Sequence, residues 1–265
     1  MEQCQMRVPG AYWNFQGMIA KAKRRRLDML LVERGLAESQ KKAQSMILAG
    51  EVEVDGQKAE KAGAEVVESC RVEVRSRSQK HVSRGGLKLE GAFEEFRLRA
   101  EGLACLDIGS STGGFTDCLL QRGASRVYAV DVNTDQLAWK LQKDERVVAI
   151  RKNAKELVAA DLPESVELVV IDVSFNSVRK VLPGAIACAK SRAEFLILVK
   201  PQFELRREEV KEGGVIHEPA LQQKAVAAVR GEAEKLGLAV IGVAASRLPG
   251  MEGNQEYFLH ARKSG

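Results

Sequence analysis

The most constraining feature of the sequence is an alternation of short apolar runs with helical stretches through its second half. Five runs are almost continuously apolar, as expected of parallel strands buried on both faces, and two more follow; together they span 104–108, 126–130, 147–150, 167–171, 194–199, 238–246 and 256–261. Helical patterns lie between most of them, at 114–122, 133–142, 175–190 and 219–236. The segment between the last two runs is too short for a helix, so these runs should pair antiparallel. The sequence therefore predicts an α/β fold built on a seven-stranded sheet whose last strand is antiparallel.

Composition limits the class of protein. A chain of 265 residues with 45% hydrophobic residues can bury a sizeable core and has room for one large and one small domain. The five cysteines form no C-x-x-C pair. We expect buried free thiols in a reducing cytoplasm, with neither a disulfide framework nor a metal site. The longest apolar run is far shorter than the roughly 18 residues of a spanning helix, so we expect no stable membrane insertion.

The N-terminal part of the chain is organised differently. Residues 1–17 show no periodicity and are predicted to be an expression tag or a short extension. We expect a small α+β domain over 18–75, a polar and basic linker over 76–84, and the large domain over 85–265. Residues 18–82 hold 14 Lys and Arg against 10 Asp and Glu, a net charge of +4, whereas the rest of the chain is nearly neutral. Such asymmetry favours a nucleic-acid partner, although a merely solvated charged face would look the same.

Two short helices and a hairpin are predicted in the small domain. Leu27, Leu30 and Leu31 form a helical stripe, Ser39 can begin a second helix, and Asp55-Gly56 is typical of a two-residue hairpin turn. The stretches "RLDMLL", "GLAES" and "VEVDG" resemble the S4 RNA-binding domain, with Gln40 and Ala62 standing where many members have arginine and proline. The resemblance implies phosphate contacts by basic residues, for which the candidates are Arg24, Arg25, Arg26, Lys41, Lys42 and, at the end of the linker, Arg84.

A glycine-rich turn, "DIGSSTGGF", follows the first strand of the large domain. Its spacing is neither G-x-G-x-x-G nor a P-loop. Asp107 at this turn suits a cationic amino-acid group better than a pyrophosphate, and Asp131 at the end of the second strand can accept hydrogen bonds from ribose hydroxyls. Each aspartate alone could equally be a turn or cap residue. Together they favour S-adenosylmethionine (SAM), and the strand pattern resembles the class I SAM-dependent methyltransferase fold, although a nicotinamide-binding domain would show a similar pattern.

Charged residues also follow later strands. Asp172 and Lys200 end the fourth and fifth runs, and Glu256 begins the seventh. Because the carboxyl ends of parallel strands line the ligand crevice, these three side chains should converge there, although Lys200 could instead extend to the rim. Lys88 lies on the helix before the first strand, beside the small residues Gly91 and Ala92.

The set Lys88, Asp172, Lys200 and Glu256 resembles the K-D-K-E tetrad of FtsJ-like RNA 2′-O-methyltransferases. Together with the S4-like domain, the stretches "SRGGLKL", "DIGSSTGGFTD", "DVSF" and "LVKPQFE" resemble the TlyA family. That family implies methylation of cytidine ribose in ribosomal RNA, ribosomal RNA or ribosomal subunits as partners, and a cytoplasmic location. Two nearby amines can lower each other's pKa while the two carboxylates raise it, so the residues do not decide which lysine is the base; we favour Lys200 as general base and Lys88 as the residue that aligns the ribose. The cofactor residues that the family implies are Asp107, Gly109, Ser110, Gly113, Gly114, Phe115, Asp131 and Asn153.

Three other functions stay open at this point. The family also carries the name haemolysin, so a membrane-active protein is one alternative. A non-catalytic S4-type RNA-binding factor is a second. A methyltransferase acting on RNA bases is a third, although the N-P-P-Y/F-type site for exocyclic amines is absent after Asp172.

Overall fold

The computed structural model describes residues 23–37, 39–48, 50–74, 80–210, 213–250 and 253–265. The predicted extension 1–17 and linker residues 76–79 lie outside these ranges. The chain divides into two compact units, Met1–Ser78 and Gln79–Gly265. Each unit has its own hydrophobic core.

The first unit contains two helices and five short strands. Its elements are β1 (Arg24–Arg26), α1 (Leu27–Glu33), α2 (Gln40–Leu48), β2 (Val52–Val54), β3 (Gln57–Lys58), β4 (Glu65–Val67) and β5 (Val72–Val74). The two helices and the β2–β3 hairpin are where the sequence predicts them. Asp55 and Gly56 both have positive φ, 50° and 82°, as the tight hairpin turn requires. The pairings of β1 with β4 and of β2 with β5 were not predicted, because three-residue strands carry too little pattern.

A buried carboxylate organises the first unit. The stripe of Leu27 and Leu31 packs against Ala43, Met46 and Ile47 of α2. Beside this core, the wholly buried Asp28 accepts hydrogen bonds from Arg26, Gln40 and Gln44. The guanidinium of Arg26 holds the pKa of Asp28 well below its usual range. Asp28 therefore ties the start of α1 to α2.

The second unit confirms the predicted fold class. It contains α3 (Arg84–Phe96), β6 (Ala104–Ile108), α4 (Gly114–Gln121), β7 (Arg126–Asp131), α5 (Trp139–Gln142), β8 (Val147–Arg151), β9 (Val166–Ile171), α6 (Leu182–Ala187), β10 (Ala189–Val199), α7 (Pro201–Glu204), α8 (Pro219–Lys235), β11 (Leu238–Ala245) and β12 (Tyr257–Lys263). Strands β6 to β10 run parallel, in the order β10-β9-β6-β7-β8, and β12 inserts antiparallel between β10 and β11. The central strands are buried on both faces, which explains their continuous apolar sequences.

The predicted helix over 175–190 is wrong in its extent. The structure has a 3₁₀ turn at Val178–Lys180, a helix from Leu182 to Ala187, and a strand that already begins at Ala189. Pro183 lies in the first turn of α6, where its missing N–H costs nothing, and it could not lie inside a longer helix. Phe175 has a φ of 63°, which also excludes a right-handed helix at that residue.

The sheet brings the carboxyl ends of its parallel strands and the start of β12 to one edge. Four cysteines lie within the described ranges, namely Cys70, Cys105, Cys118 and Cys188, and all are buried and unpaired. No helix of the described part of the chain is long and apolar enough to cross a membrane.

Candidate active site

A cavity of about 880 Å³ opens at the carboxyl edge of the sheet. Its wall is formed by the start of α3, the loop after β6, the segments after β9 and β10, and the segment that leads into β12. All four predicted catalytic residues line it. So do the predicted cofactor residues Gly109, Ser110, Gly114 and Phe115, and the exposed Arg84.

The four charged residues form two separate ion pairs. Nζ of Lys88 lies 2.6 Å from Oε2 of Glu256, and both side chains are buried. Nζ of Lys200 lies 2.5 Å from Oδ1 of Asp172. Helix α3 places Lys88 by packing its neighbours Leu89, Ala92 and Phe93 into the core against α4 and the sheet. The sequence predicted the convergence of these residues but not how they pair.

Ser174 gives the two lysines different surroundings. Nζ of Lys200 donates a hydrogen bond to Oγ of Ser174 at 2.8 Å, in addition to its contact with Asp172. Lys88 has only Glu256 as a hydrogen-bond partner among the described residues. Ser174 was missed in the sequence, although it stands inside the "DVSF" stretch directly after Asp172.

The glycines of the loop after β6 are required by packing within the protein. A Cβ on Gly109 would collide with the carbonyl oxygen of Asp172, and one on Gly114 would collide with Ser83 Oγ at the start of α3. Gly113 has a φ of 93° and precedes α4. These close contacts keep the loop, α3 and the segment after β9 near one another, and all three form part of the cavity wall.

Asp107 lies behind the loop and does not line the cavity. It is completely buried, and Thr116 Oγ1 donates to its Oδ2 at 2.6 Å while Oδ1 has no partner. Burial raises the pKa of Asp107 to about 7; the Thr116 hydrogen bond opposes this shift and the Asp172 carboxylate adds to it. An unsatisfied buried acceptor at this point suits a nearby cationic ligand.

Gly113, Asp131 and Asn153 also lie outside the cavity wall. Asp131 ends β7, and its carboxylate accepts hydrogen bonds from the backbone N–H groups of Ser111 and Asn133 at 2.9 and 3.0 Å. Asn153 follows β8 and begins a 3₁₀ turn, with its Oδ1 accepting from the N–H of Lys155. Both belong to the same carboxyl edge of the sheet.

The segment before α3 is anchored firmly in the second unit. His81 is buried, with Nε2 3.5 Å from Glu90 and Nδ1 4.0 Å from Asp117. The N–H of Val82 donates to Asp117 at 2.8 Å. Residues 81 and 82, which were assigned to the linker, therefore pack against α3 and α4, and they fix the entry to the helix that carries Lys88.

Two aromatic rings lie at the cavity beside Lys200. Phe175 is 87% exposed, and its ring centroid is 5.6 Å from that of Phe203. Large apolar side chains left in solvent at the mouth of a cavity are typical of ligand sites. The rings offer flat surface on which a planar group could stack.

The candidate RNA-binding residues of the first unit divide into two kinds. Arg24, Lys41 and Lys42 are exposed. Arg26 instead makes a bidentate ion pair with the buried Asp28, and Arg25 lies near Glu33 and Glu68. The exposed Arg24, Lys41 and Lys42 are thus better placed to contact phosphates than Arg25 and Arg26.

Comparison with known proteins places both units. The model of the FtsJ-like methyltransferase family matches residues 81–263, and the model of the S4 domain matches residues 25–69. The chain is also 47% identical over 243 residues to a Mycobacterium tuberculosis protein named 16S/23S rRNA (cytidine-2′-O)-methyltransferase TlyA, covering 91% of each chain. The chain belongs to the TlyA family of FtsJ-like methyltransferases. The family expected from the sequence is thereby confirmed.

Solved structures agree with this TlyA-family fold. A structure from Streptococcus thermophilus, described as a hemolysin, matches with a TM-score of 0.72 and 36% identity, covering 92% of this chain and 90% of that one. A SAM-dependent methyltransferase structure from Listeria monocytogenes shares the fold of the larger unit, with a TM-score of 0.50 at 16% identity over 67% of this chain and all of that chain.

SAM fits the chemistry that this TlyA-family chain presents. Ser110 lines the cavity, and its hydroxyl has no partner among the described residues. Asp107 holds a second buried oxygen without a partner just behind the loop. Neither the loop nor α4 carries the basic residue of a phosphate-binding P-loop. The acceptors and the missing phosphate site suit a cofactor that has an ammonium group, a ribose and no phosphate.

Proposed function

We propose that this protein transfers a methyl group from SAM to the ribose 2′-hydroxyl of cytidine in ribosomal RNA. The observation that carries the proposal is the meeting of two ion pairs, Lys200 with Asp172 and Lys88 with Glu256, in one cavity beside the glycine-rich loop. The relative from Mycobacterium tuberculosis, which matches over 91% of this chain, is named for that reaction.

Lys200 is the general base of the proposed reaction. A neutral lysine amine has two hydrogens and one lone pair. Lys200 donates one of these hydrogens to Ser174 at 2.8 Å, and the carboxylate of Asp172, 2.5 Å from Nζ, holds the amine in place. The lone pair then remains to accept the proton of a ribose 2′-hydroxyl, which is too weak a nucleophile to attack without such a base.

Lys88 aligns the ribose. It is nine-tenths buried and is paired with the buried Glu256, so its amine has a fixed position. A fixed ammonium group can hydrogen-bond an oxygen of the ribose and hold it in line for attack.

The cofactor supplies the electrophile: when bound, SAM presents a methyl group on a positively charged sulfur, which leaves as a neutral thioether. Ser110 and the carboxylates of Asp107 and Asp131 would hold its polar groups. In the methyl-transfer step Nζ of Lys200 would accept the proton of the 2′-hydroxyl, whose oxygen would take the methyl group that the cofactor supplies.

RNA contacts come from both units in this proposal. The rings of Phe175 and Phe203 offer stacking surface to the target base, as single nucleotides are commonly held. Arg84 at the cavity and Lys41 and Lys42 in the S4 unit provide phosphate contacts. Because the substrate is ribosomal RNA, we place the protein in the cytoplasm.

The test is methylation mapping. Ribosomal subunits that lack the modification are incubated with SAM and protein, and 2′-O-methyl nucleotides are mapped on both ribosomal RNAs. We expect new methyl groups on cytidine ribose with the wild type and with Lys190→Ala, a control that alters an exposed lysine at the opposite end of β10. Lys200→Ala should give far fewer in the same incubation time, because loss of the base slows the reaction about 10²- to 10⁴-fold. Methyl groups found only on bases, or none in any sample despite SAM binding, would contradict the proposal and favour base methylation or a non-catalytic RNA-binding factor.

A further inference from the structure

The two segments that follow β9 and β10 are held together by side chains. The backbone ladder between these strands ends at Ile171 and Ile197. Beyond it, Lys200 contacts Asp172 and Ser174 at the catalytic end. Asp172 is also tied to β6, because its N–H donates to the carbonyl oxygen of Ile108 at 2.9 Å, and β10 stays paired with β12 as far as Val199. Farther along the chain, neither segment has a strand partner among the described residues, so its position there depends on other contacts.

The far end of the two segments is closed by Glu204. This residue ends α7, four positions after Lys200, and it is only 6% exposed. Its carboxylate accepts hydrogen bonds from Ser177 Oγ at 2.6 Å, from the N–H of Val178 at 2.7 Å and from Nε of Arg179 at 3.1 Å. Its own carbonyl oxygen accepts from Nη2 of Arg179 at 3.2 Å.

The contact between the Glu204 carboxylate and its donors on residues 177–179 is rigid because the carboxylate is buried. Burial raises the pKa of Glu204, while its hydrogen bonds and Arg179 oppose the shift. A desolvated carboxylate is tolerated only if its donors stay in place, so each donor on 177–179 is held to α7.

The segment between the two attachment points is strained. Phe175 has a φ of 63°, and for a bulky residue such a backbone conformation persists only when the surroundings impose it. Lys200 holds the chain on one side of Phe175 through Asp172 and Ser174, and Glu204 holds it on the other side through Ser177 and Val178.

We infer that Glu204 is a positioning residue for the methyl-transfer site: it fixes segment 172–179 against segment 200–204 and so sets the placement of Ser174 and Phe175 relative to Lys200. Glu204 does not line the cavity and does not touch the reacting atoms. This inference rests on the proposed function, to which it adds a residue outside the charged tetrad.

The test compares Glu204→Ala and Glu204→Gln with a matched control, Glu194→Ala. Glu194 lies in the middle of β10, the strand that precedes Lys200, and it is paired with Arg262 and His260 away from the cavity. Single-turnover methylation is measured at saturating SAM and RNA, together with SAM affinity by calorimetry. Amide hydrogen exchange of the free protein is followed at Val178.

For Glu204→Ala we expect a rate constant reduced about 10- to 100-fold with SAM affinity unchanged within twofold, because misalignment alone can cost about 10²-fold. Exchange at Val178 should become faster. Glu204→Gln should lie between Ala and wild type, because its amide oxygen can still accept from Val178 while its NH₂ group cannot accept from Ser177. Glu194→Ala should leave both the rate constant and Val178 exchange unchanged, since lost stability lowers the fraction of active enzyme and not its rate constant.

The double variant Glu204→Ala with Ser177→Ala shows whether the loss of rate comes from the contact between Glu204 and residues 177–179, called the clamp below, or from a general loss of structure. If the two residues act as a unit, the double variant should be no slower than Glu204→Ala alone. A wild-type rate constant in Glu204→Ala, or unchanged exchange at Val178, would overturn the inference. Failure of the wild type itself to methylate ribosomal RNA would instead count against the proposed function and would leave the exchange measurement as the test of the clamp.

Discussion

At the scale of single residues, the buried carboxyl group of Asp107 lowers the free energy of unfolding of the protein. Its pKa rises from 3.8 in the unfolded chain to about 7 in the folded protein because it is buried. Between pH 3.8 and about pH 7 the carboxyl of Asp107 is protonated in the folded protein but ionised in the unfolded chain. The free energy of unfolding therefore falls as the pH rises from 3.8 to about 7. Above pH 7 the buried charge destabilises the fold by at most about 4 kcal/mol, at about 1.4 kcal/mol for each pKa unit.

We therefore expect Asp107→Asn to raise the free energy of unfolding at pH 8.5 and to gain little at pH 4, where the carboxyl is protonated in the folded protein and only partly ionised in the unfolded chain. The variant should also bind SAM more weakly, because the acceptor offered to the cofactor has lost its charge. Asp117→Asn is the matched control: Asp117 is also buried, but it accepts from Val82 and Lys140, so its neutralisation should destabilise. Denaturation at the two pH values and calorimetry with SAM provide the measurements. An Asp107→Asn protein that is less stable than wild type at pH 8.5 would contradict the assignment.

The two lysines can be separated by their response to pH. If Lys200 is the base, the wild-type single-turnover rate should increase with pH as its amine loses a proton, and Lys200→Ala should lose about 10²- to 10⁴-fold. Lys88→Ala should lose about 10²-fold through misalignment but keep the rise with pH, because the base is still present. A flat pH profile in Lys88→Ala together with a retained rise in Lys200→Ala would reverse the two roles.

Residue types and strand ends were enough to predict that Asp172, Lys200 and Glu256 meet, because a parallel sheet fixes where its strand ends lie, whereas Lys88 joined them only through the family resemblance. The pattern could not predict that Lys200 pairs with Asp172 and Lys88 with Glu256. It also gave no sign of Ser174 or Glu204, because a serine or glutamate in a loop has no periodicity. Their roles depend on contacts with residues 26 and 27 positions away in the chain.

At the scale of secondary structure, the long apolar strands were predicted to within a few residues, and the short elements were not. Strands such as β6 and β9 are buried on both faces, so their sequences have little freedom. The stretch 175–190 carries a helical pattern, yet the side chain of Glu204 and the proline at 183 decide its structure. Tertiary contacts override local propensity where a segment builds the site.

Two glycines in helices test whether close packing between helices α3 and α4 is needed for stability and activity. A Cβ at Gly114 would collide with Ser83 at the start of α3, whereas nothing lies within 4 Å of a Cβ at Gly231 in α8. Gly114→Ala should therefore destabilise by about 1–3 kcal/mol and lower the methylation rate, because α3 carries Lys88. Gly231→Ala should stabilise by about 0.5–1 kcal/mol and leave the rate unchanged. Unfolding and single-turnover rates measured on both variants check this; an active, stable Gly114→Ala protein would refute the packing argument.

At the scale of the whole molecule, charge and chemistry belong to different units. Residues 18–78 hold 13 Lys and Arg against 10 Asp and Glu, a net charge of +3, whereas the cavity and its ion pairs lie entirely within Gln79–Gly265. We infer that the S4 unit supplies affinity for RNA and the methyltransferase unit supplies SAM binding and chemistry. Electrostatic affinity of this kind must weaken as salt concentration rises, because binding to phosphates releases counterions.

The affinity of the full chain for ribosomal RNA should thus decrease linearly with salt concentration on logarithmic axes. Replacing Lys41 and Lys42 together by alanine should lower the slope by about two, since each phosphate contact contributes about one. Lys235→Ala, an exposed lysine near the end of α8, is the control and should not change the slope. SAM affinity should be the same in all three proteins, because the cofactor site lies in the other unit. If the double variant kept the wild-type slope, phosphate contacts would have to be assigned to other residues, beginning with Arg24 and Arg84, which are also exposed.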